Sequence, residues 1–124
     1  MLFNRNIILE ILRSSFAKEI ETFIEQYIME LDEIELEEFF GLSADFAFLD
    51  SIGQINVDDF STVSDGNGQK VEGVFDVEVL IYGFQNVEND DKKYMGTGLG
   101  MLELAFSFYE KNGSYSNIVL EYLY

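Results

Sequence analysis

The sequence predicts an α+β domain in which N-terminal helices pack on an antiparallel sheet. Three observations lead to this prediction. The 124-residue chain has neither glycine nor proline before Gly41, and its apolar residues there recur at steps of three and four. After Gly41 the apolar period changes to two, which is typical of strands. Asp-Gly and Asn-Gly pairs at 65–66, 67–68 and 112–113 mark tight turns between those strands.

Residues 1–40 are predicted to be helical. Their spacing predicts a long amphipathic helix, or two helices in sequence, with acidic residues off the apolar face. As an alternative for 6–12, the segment NIILEIL could be a first strand. The predicted apolar face comprises Ile8, Leu12, Phe16, Ile20, Phe23, Tyr27, Leu31 and Ile34, widened by Ile24 and Ile28.

Two places in this segment could interrupt the helix. Ser14 and Ser15 offer one break. Asp32 followed by Glu35 has the pattern of a capping box, which begins a helix. Gly41 would then end that second, short helix, because glycine adopts the left-handed conformation that closes helices.

Residues 44–124 are predicted to form mainly a meander of about four antiparallel strands. A helical layer on one face of this sheet would bury both apolar faces, and the whole chain is predicted to be a single domain. The alternation in the later strands places Leu102, Leu104, Phe106 and Phe108 on one face. The strand candidates cover 45–52 and 54–63, which are short, and then 70–84, 98–110 and 115–124.

The composition argues against an enzyme. The chain has no cysteine and no histidine, so the thiolate, the usual general base and the commonest metal ligand are all absent. Asp76 and Glu78 share a strand face that would suit a divalent metal, but we interpret them as polar strand surface. The glycine-rich 96–100 opens a strand and not a helix, so we expect it to allow a bulge or a close backbone contact. We therefore expect no catalytic residues, no metal and no cofactor.

Acidic residues dominate the charge of the chain and concentrate in one third of it. The chain has 24 acidic and 7 basic residues, for a net charge of −17. Between Glu19 and Asp59 lie thirteen acidic residues and no lysine or arginine. A field of one sign attracts basic partners and repels nucleic acid and anionic membranes. We expect the partner to be a basic protein surface, with no direct binding of nucleic acid or membrane.

The acidic segment predicts the residues that would contact this partner. On one helix, Glu30, Glu33 and Glu37 would form one row and Glu21, Glu25 and Asp32 another. Each helical residue rises about 1.5 Å, so the rows would resemble the phosphate spacing of DNA. The two phenylalanines that follow are candidates for either apolar anchors or core. The predicted partner-binding residues are Glu21, Glu25, Glu30, Asp32, Glu33, Glu35, Glu37, Glu38, Phe39, Phe40, Asp58 and Asp59.

At the level of class, the chain is similar to small acidic inhibitors: phage anti-CRISPR and anti-restriction proteins, and bacterial immunity proteins that neutralise toxin nucleases. The acidic field from Glu19 to Asp59 carries this similarity. It implies a non-enzymatic DNA mimic that covers the nucleic-acid-binding surface of a larger protein. An immunity protein or antitoxin against a basic toxin would use the same chemistry.

A third interpretation is a structural or adaptor module that forms a homodimer through the helix or the last strand. The N-terminal residues lack the pattern of a signal peptide, and no apolar run reaches the length of a membrane span. We therefore expect a cytoplasmic protein.

Overall fold

The computed structural model describes residues 2–123 and has the predicted α+β architecture, with helices preceding a four-stranded antiparallel sheet. The four strands are adjacent in chain order, so the sheet is the predicted meander. A short 3₁₀ helix, Glu88–Asp90, separates the second strand from the third. The elements are α1 Arg5–Ser14, α2 Ala17–Glu30, α3 Glu33–Phe40, β1 Phe46–Asp65, β2 Gly68–Asn86, β3 Lys92–Lys111 and β4 Ser114–Leu123.

The first predicted break, at the two serines, is present. α1 begins after Asn4, whose side-chain oxygen accepts a hydrogen bond of 2.9 Å from the Ile7 backbone N–H. It ends at Ser14, whose hydroxyl donates to the Glu10 carbonyl at 2.6 Å. The segment that was an alternative strand candidate is therefore helical.

The second predicted break is a capping box at the start of α3. The Glu35 N–H donates to the Asp32 carboxylate at 2.9 Å, and the Asp32 N–H donates to the Glu35 carboxylate at 3.1 Å. Gly41 closes α3 with a φ of 63°, and its N–H donates to the Glu37 carbonyl at 2.9 Å. With both breaks present, the helical segment consists of three helices.

Removing this cap should destabilise the protein. We expect Asp32→Ala to lower the free energy of unfolding by about 1 kcal/mol, because an N–H of the first turn loses its acceptor. Urea denaturation measures this change. Asp32→Asn keeps a side-chain oxygen in place and should lose clearly less. Equal losses for the two variants would show that capping is not the reason for the effect.

The residues group into two compact units. Unit 1 comprises 2–20, 55–77 and 102–123 of the described chain, and unit 2 comprises 21–54 and 78–101. The single domain stays a prediction.

Within the part of the chain that the structure describes, none of the helices combines the length and apolar character needed to cross a membrane.

The core of unit 1 is aromatic and centres on Phe108 of β3. This ring is fully buried. It stacks on Phe106 at a centroid distance of 6.0 Å and lies 5.3 Å from Phe16. Phe3 and Tyr115 meet it edge-on at 6.4 and 6.0 Å. The alternating apolar residues of β3 are buried as predicted.

The core of unit 2 brings α3 close to β3. Phe40 is only 5% exposed. A Cβ on Gly100 would lie 2.6 Å from the Phe40 ring, and one on Gly98 would lie 3.0 Å from the Phe40 carbonyl oxygen. The glycine-rich segment therefore allows a close contact with the helix, as predicted. Because Phe40 is buried in this contact, its assignment to the partner-binding surface is wrong.

Candidate functional site: acidic surfaces

The acidic residues from Glu21 of α2 to Glu38 of α3 form the first candidate, which we call the helical acidic surface. The helices bury Ile24, Ile28 and Leu36 completely. Since these apolar residues fill the buried face, the carboxylates lie on the solvent side. Glu35, which is engaged in the capping box, is half-buried, and the other members are exposed. The surface comprises Glu21, Glu25, Glu30, Asp32, Glu33, Glu35, Glu37 and Glu38.

Lys18, at the start of α2, is the one base on the two helices that carry this surface. Unit 2 contains fourteen acidic residues and two lysines. One of these, Lys92, has its ammonium 5.2 Å from the ring centroid of Phe46. Among residues 2–123, an ion pair joins Lys70 to Glu72, and both of these residues belong to unit 1. Such a field should extend well into solvent and attract cations.

The spacing of the carboxylates differs from the two predicted rows. Those rows assumed one continuous helix, but α2 ends at Glu30 and α3 starts at Glu33. The helical rise therefore does not apply across Leu31 and Asp32. Each helix keeps one pair four residues apart, 21 with 25 and 33 with 37, and each pair spans about 6 Å along its axis.

A depression beside α3 combines carboxylates with apolar side chains. Its volume is about 350 Å³, and its lining includes Glu33, Ile34, Glu37, Asp45 and Met95. The backbone N–H of Asn86 donates to the Asp45 carboxylate at 2.8 Å, which fixes that side of the depression. Glu33 and Glu37 of α3, which were predicted to bind a partner, therefore border a concave surface.

Apolar residues beside the acids are exposed to different degrees. Phe39 is 39% exposed, so it can contact a partner, unlike Phe40. Ile34 is 69% exposed, although the predicted apolar face included it. α2 ends at Glu30 and α3 begins after Asp32, so the spacing of three and four residues is interrupted there. As a result Leu36, and not Ile34, lies in the core.

Asp58 and Asp59 belong to unit 1, where two other acids lie close to Asp58. Carboxylate oxygens of Asp58 on β1, Asp76 on β2 and Glu103 on β3 lie within 4.8 Å of one another. The sequence suggested Glu78 as the companion of Asp76 and missed Glu103. Companions on three different strands depend on strand register, and the sequence pattern does not supply it.

The pKa of Asp76 is raised above its ordinary value of 3.8. Burial has the largest effect, followed by a side-chain hydrogen bond with Asp58 and by the negative charges of Asp58 and Glu103. Each of these favours the protonated form of Asp76. Ionisation of Asp76 therefore opposes folding.

Neutralising Asp76 should stabilise the protein at neutral pH. Protonation of Asp76 stabilises the folded state relative to the unfolded state. This stabilisation is complete below pH 3.8 and is lost as the pH rises through the higher pKa of the folded state. Asp76→Asn should therefore be more stable than the wild type at neutral pH, with the difference disappearing below pH 3.8. Urea denaturation at both pH values measures it. Asp50→Asn, at an exposed position, controls for losing one negative charge. A larger gain from the control would contradict the explanation.

A cluster of aromatic rings in unit 2 was not anticipated from the sequence. Phe46 and Phe48 of β1 lie 5.7 and 5.9 Å from Phe84 of β2. Tyr82 and Tyr94 also contact Phe84, at 5.7 and 5.9 Å. Except for the exposed Tyr94, these rings are half-buried. The alternation in DFAF and in IYGF was the available signal, since it places aromatic residues on one face of each strand.

The chain has no match among protein-family models, and neither the curated proteins nor the solved structures contain one.

Proposed function

We propose that this chain is a small, non-enzymatic, cytoplasmic inhibitor that binds a basic, nucleic-acid-binding surface of a larger protein. The helical acidic surface makes the contact as a DNA mimic, in an anti-defence role of the anti-CRISPR or anti-restriction kind. The observation that carries the proposal is that seven of these eight carboxylates are exposed and that none of the eight forms an ion pair within residues 2–123.

Electrostatics supports this choice. Like charges four residues apart on one helix destabilise it slightly. Glu21 with Glu25 and Glu33 with Glu37 are such pairs. The attraction between these glutamates and a basic partner surface would offset their mutual repulsion. It would also speed association at low salt. A domain without such a partner would gain stability from further lysines in these helices, which hold Lys18 alone.

The apolar residues among the acids support a protein partner. Ile34 and Phe39 are exposed next to Glu33, Glu37 and Glu38. Protein interfaces derive much of their affinity from apolar anchors surrounded by polar residues. A surface meant only to repel anions would not need them.

Capture on the immobilised full-length chain tests the proposal. A lysate of bacteria that carry CRISPR–Cas and restriction systems is passed over the chain, and bound proteins are released by a rising salt gradient. We expect a basic nucleic-acid enzyme to elute as the salt rises, because salt screens exposed charges. Recovery of a toxin nuclease instead would favour the immunity-protein form, which uses the same surface. Recovery of the chain alone would contradict both.

A self-associating module is a second candidate, which the edge strand β4 favours. Val119 and Leu123 of this strand are exposed, and β4 has a neighbour on one side only. Unpaired strand edges can pair with a second copy. Sedimentation at about 0.1 M and about 1 M salt separates the two functions, since a dimer built on backbone hydrogen bonds should persist at both.

A further inference from the structure

A groove crosses the sheet of unit 1, away from the helical acidic residues in sequence. Its main part has a volume of about 390 Å³. A smaller depression of about 160 Å³ shares Glu72, Ala105 and Phe106 with it and adds Ser107, Val119 and Glu121. The main part is lined by Asp59, Phe60, Ser61, Glu72, Gly73, Val74, Ala105 and Phe106.

The strand alternation explains which side chains line the groove. Val71 and Phe75 of β2 are buried, so Glu72 and Val74 lie on the opposite face of the sheet. On β3, Ala105 lies between the buried Leu104 and Phe106 and therefore shares that face. Across the next strand, Ala105 pairs with Glu121 and Ser107 with Val119. The groove thus follows one face of β2, β3 and β4, and residues 59–61 of β1 border it.

The floor of the groove is apolar and low. Ala105 contributes one methyl group, while Val74 and Val119 form apolar walls. A volume of about 390 Å³ is near the lower end of the range of ligand sites, about 300–1,000 Å³. The space suits a side chain and its backbone better than a large cofactor.

The rim of the groove is acidic. Asp59 accepts a hydrogen bond from the Phe60 N–H at 2.9 Å, and Glu72 lies 3.7 Å from the Lys70 ammonium, both near the surface. Glu121 adds a third, exposed carboxylate. Asp76 follows Val74 by two residues on β2, and Glu103 precedes Ala105 by two residues on β3, about 7 Å along each strand. Acidic side chains therefore continue beyond the groove.

We infer that this groove binds an arginine-bearing segment of a basic polypeptide. The methylene stem of arginine buries well on apolar surface while its guanidinium stays at a polar edge. Its planar fork donates paired hydrogen bonds to carboxylates, which Glu121 offers directly and Glu72 offers by exchanging its exposed Lys70 partner. Anionic ligands are repelled by the same residues. The inference stands on residues other than the helical acidic surface and goes beyond the proposed function.

Nuclear magnetic resonance of the full chain with a short capped peptide tests the inference. The peptide carries one arginine between two valines, and its control carries citrulline, which has the same shape without the charge. We expect the arginine peptide to shift the methyl signals of Val74, Ala105 and Val119, and the citrulline peptide to leave them unchanged. Ala105→Leu fills the floor without removing charge, and it should weaken binding by about tenfold or more.

The outcomes separate this groove from the helical acidic surface. Shifts confined to Met29 and Ile34, equal shifts with citrulline, or no shifts would each overturn the inference. Undiminished binding by Ala105→Leu would also overturn it. A failure of the capture experiment alongside arginine-specific shifts in the groove would overturn the proposed function and leave this inference standing.

Discussion

Reversing Glu33, Glu37 and Glu38 to lysine should slow association with the captured partner by about tenfold or more at about 0.1 M salt. Electrostatic steering accelerates association by about 10–10³, and these residues lie on the exposed face of α3. The effect should shrink at about 1 M salt, where the screening length falls to about 3 Å. Stopped-flow kinetics at both concentrations measures it.

The matched control moves the same amount of charge to other exposed positions. Glu10, Glu88 and Asp91 are exposed and lie outside the helical acidic surface. Their triple reversal changes the net charge equally and should slow association much less. Circular dichroism verifies that both variants fold. Equal rates for the two variants would show that total charge, and not the α3 surface, drives association.

Replacing Phe108 by alanine should have the largest effect on stability. Truncating a buried phenylalanine typically costs about 3–5 kcal/mol. Phe108 is fully buried and contacts four aromatic rings in unit 1. Because domains are stable by only about 5–15 kcal/mol, the variant should lose a large part of its stability. The midpoint of urea denaturation measures the loss.

Two further variants make this test specific. Phe108→Leu keeps most of the apolar volume and should lose less than the alanine variant. Tyr94→Ala removes an aromatic ring at an exposed position and should lose least. A loss below about 1 kcal/mol for Phe108→Ala would mean that this ring does not hold the core of unit 1 together.

Features set by local chemistry were predictable from the sequence. The capping box needs only Asp32 and Glu35 at the right spacing, and Gly41 ends the helix by its own conformation. The hairpin at Asn112 and Gly113 follows from two residues that accept positive φ angles, here 53° and 81°. Alternation likewise identified the buried face of β3.

Features that depend on distant residues were not predictable. β1 is one strand of 20 residues, where the sequence suggested two short ones. After Ala47, only Ile55 and Val57 of this strand are buried, so the apolar alternation there is too short to recognise. The grouping of Asp58, Asp76 and Glu103 and the groove at Ala105 both require the register between strands.

The candidate site divides in the same way. The helical acidic surface was visible as a run of charge, because exposure of acidic residues needs little tertiary information. The roles of its apolar neighbours were not visible, since Phe39 and Phe40 are adjacent in sequence and differ only in which side of α3 they occupy. Burial of Phe40 depends on Gly100, which lies sixty residues further along the chain.

Competition with duplex DNA tests the central claim most directly. The captured partner is bound to fluorescently labelled duplex, and the chain is titrated in while fluorescence anisotropy is followed. We predict that the chain displaces the DNA and that the variant with Glu33, Glu37 and Glu38 reversed to lysine does not. A ternary complex, in which the partner holds the chain and the DNA together, would contradict the account.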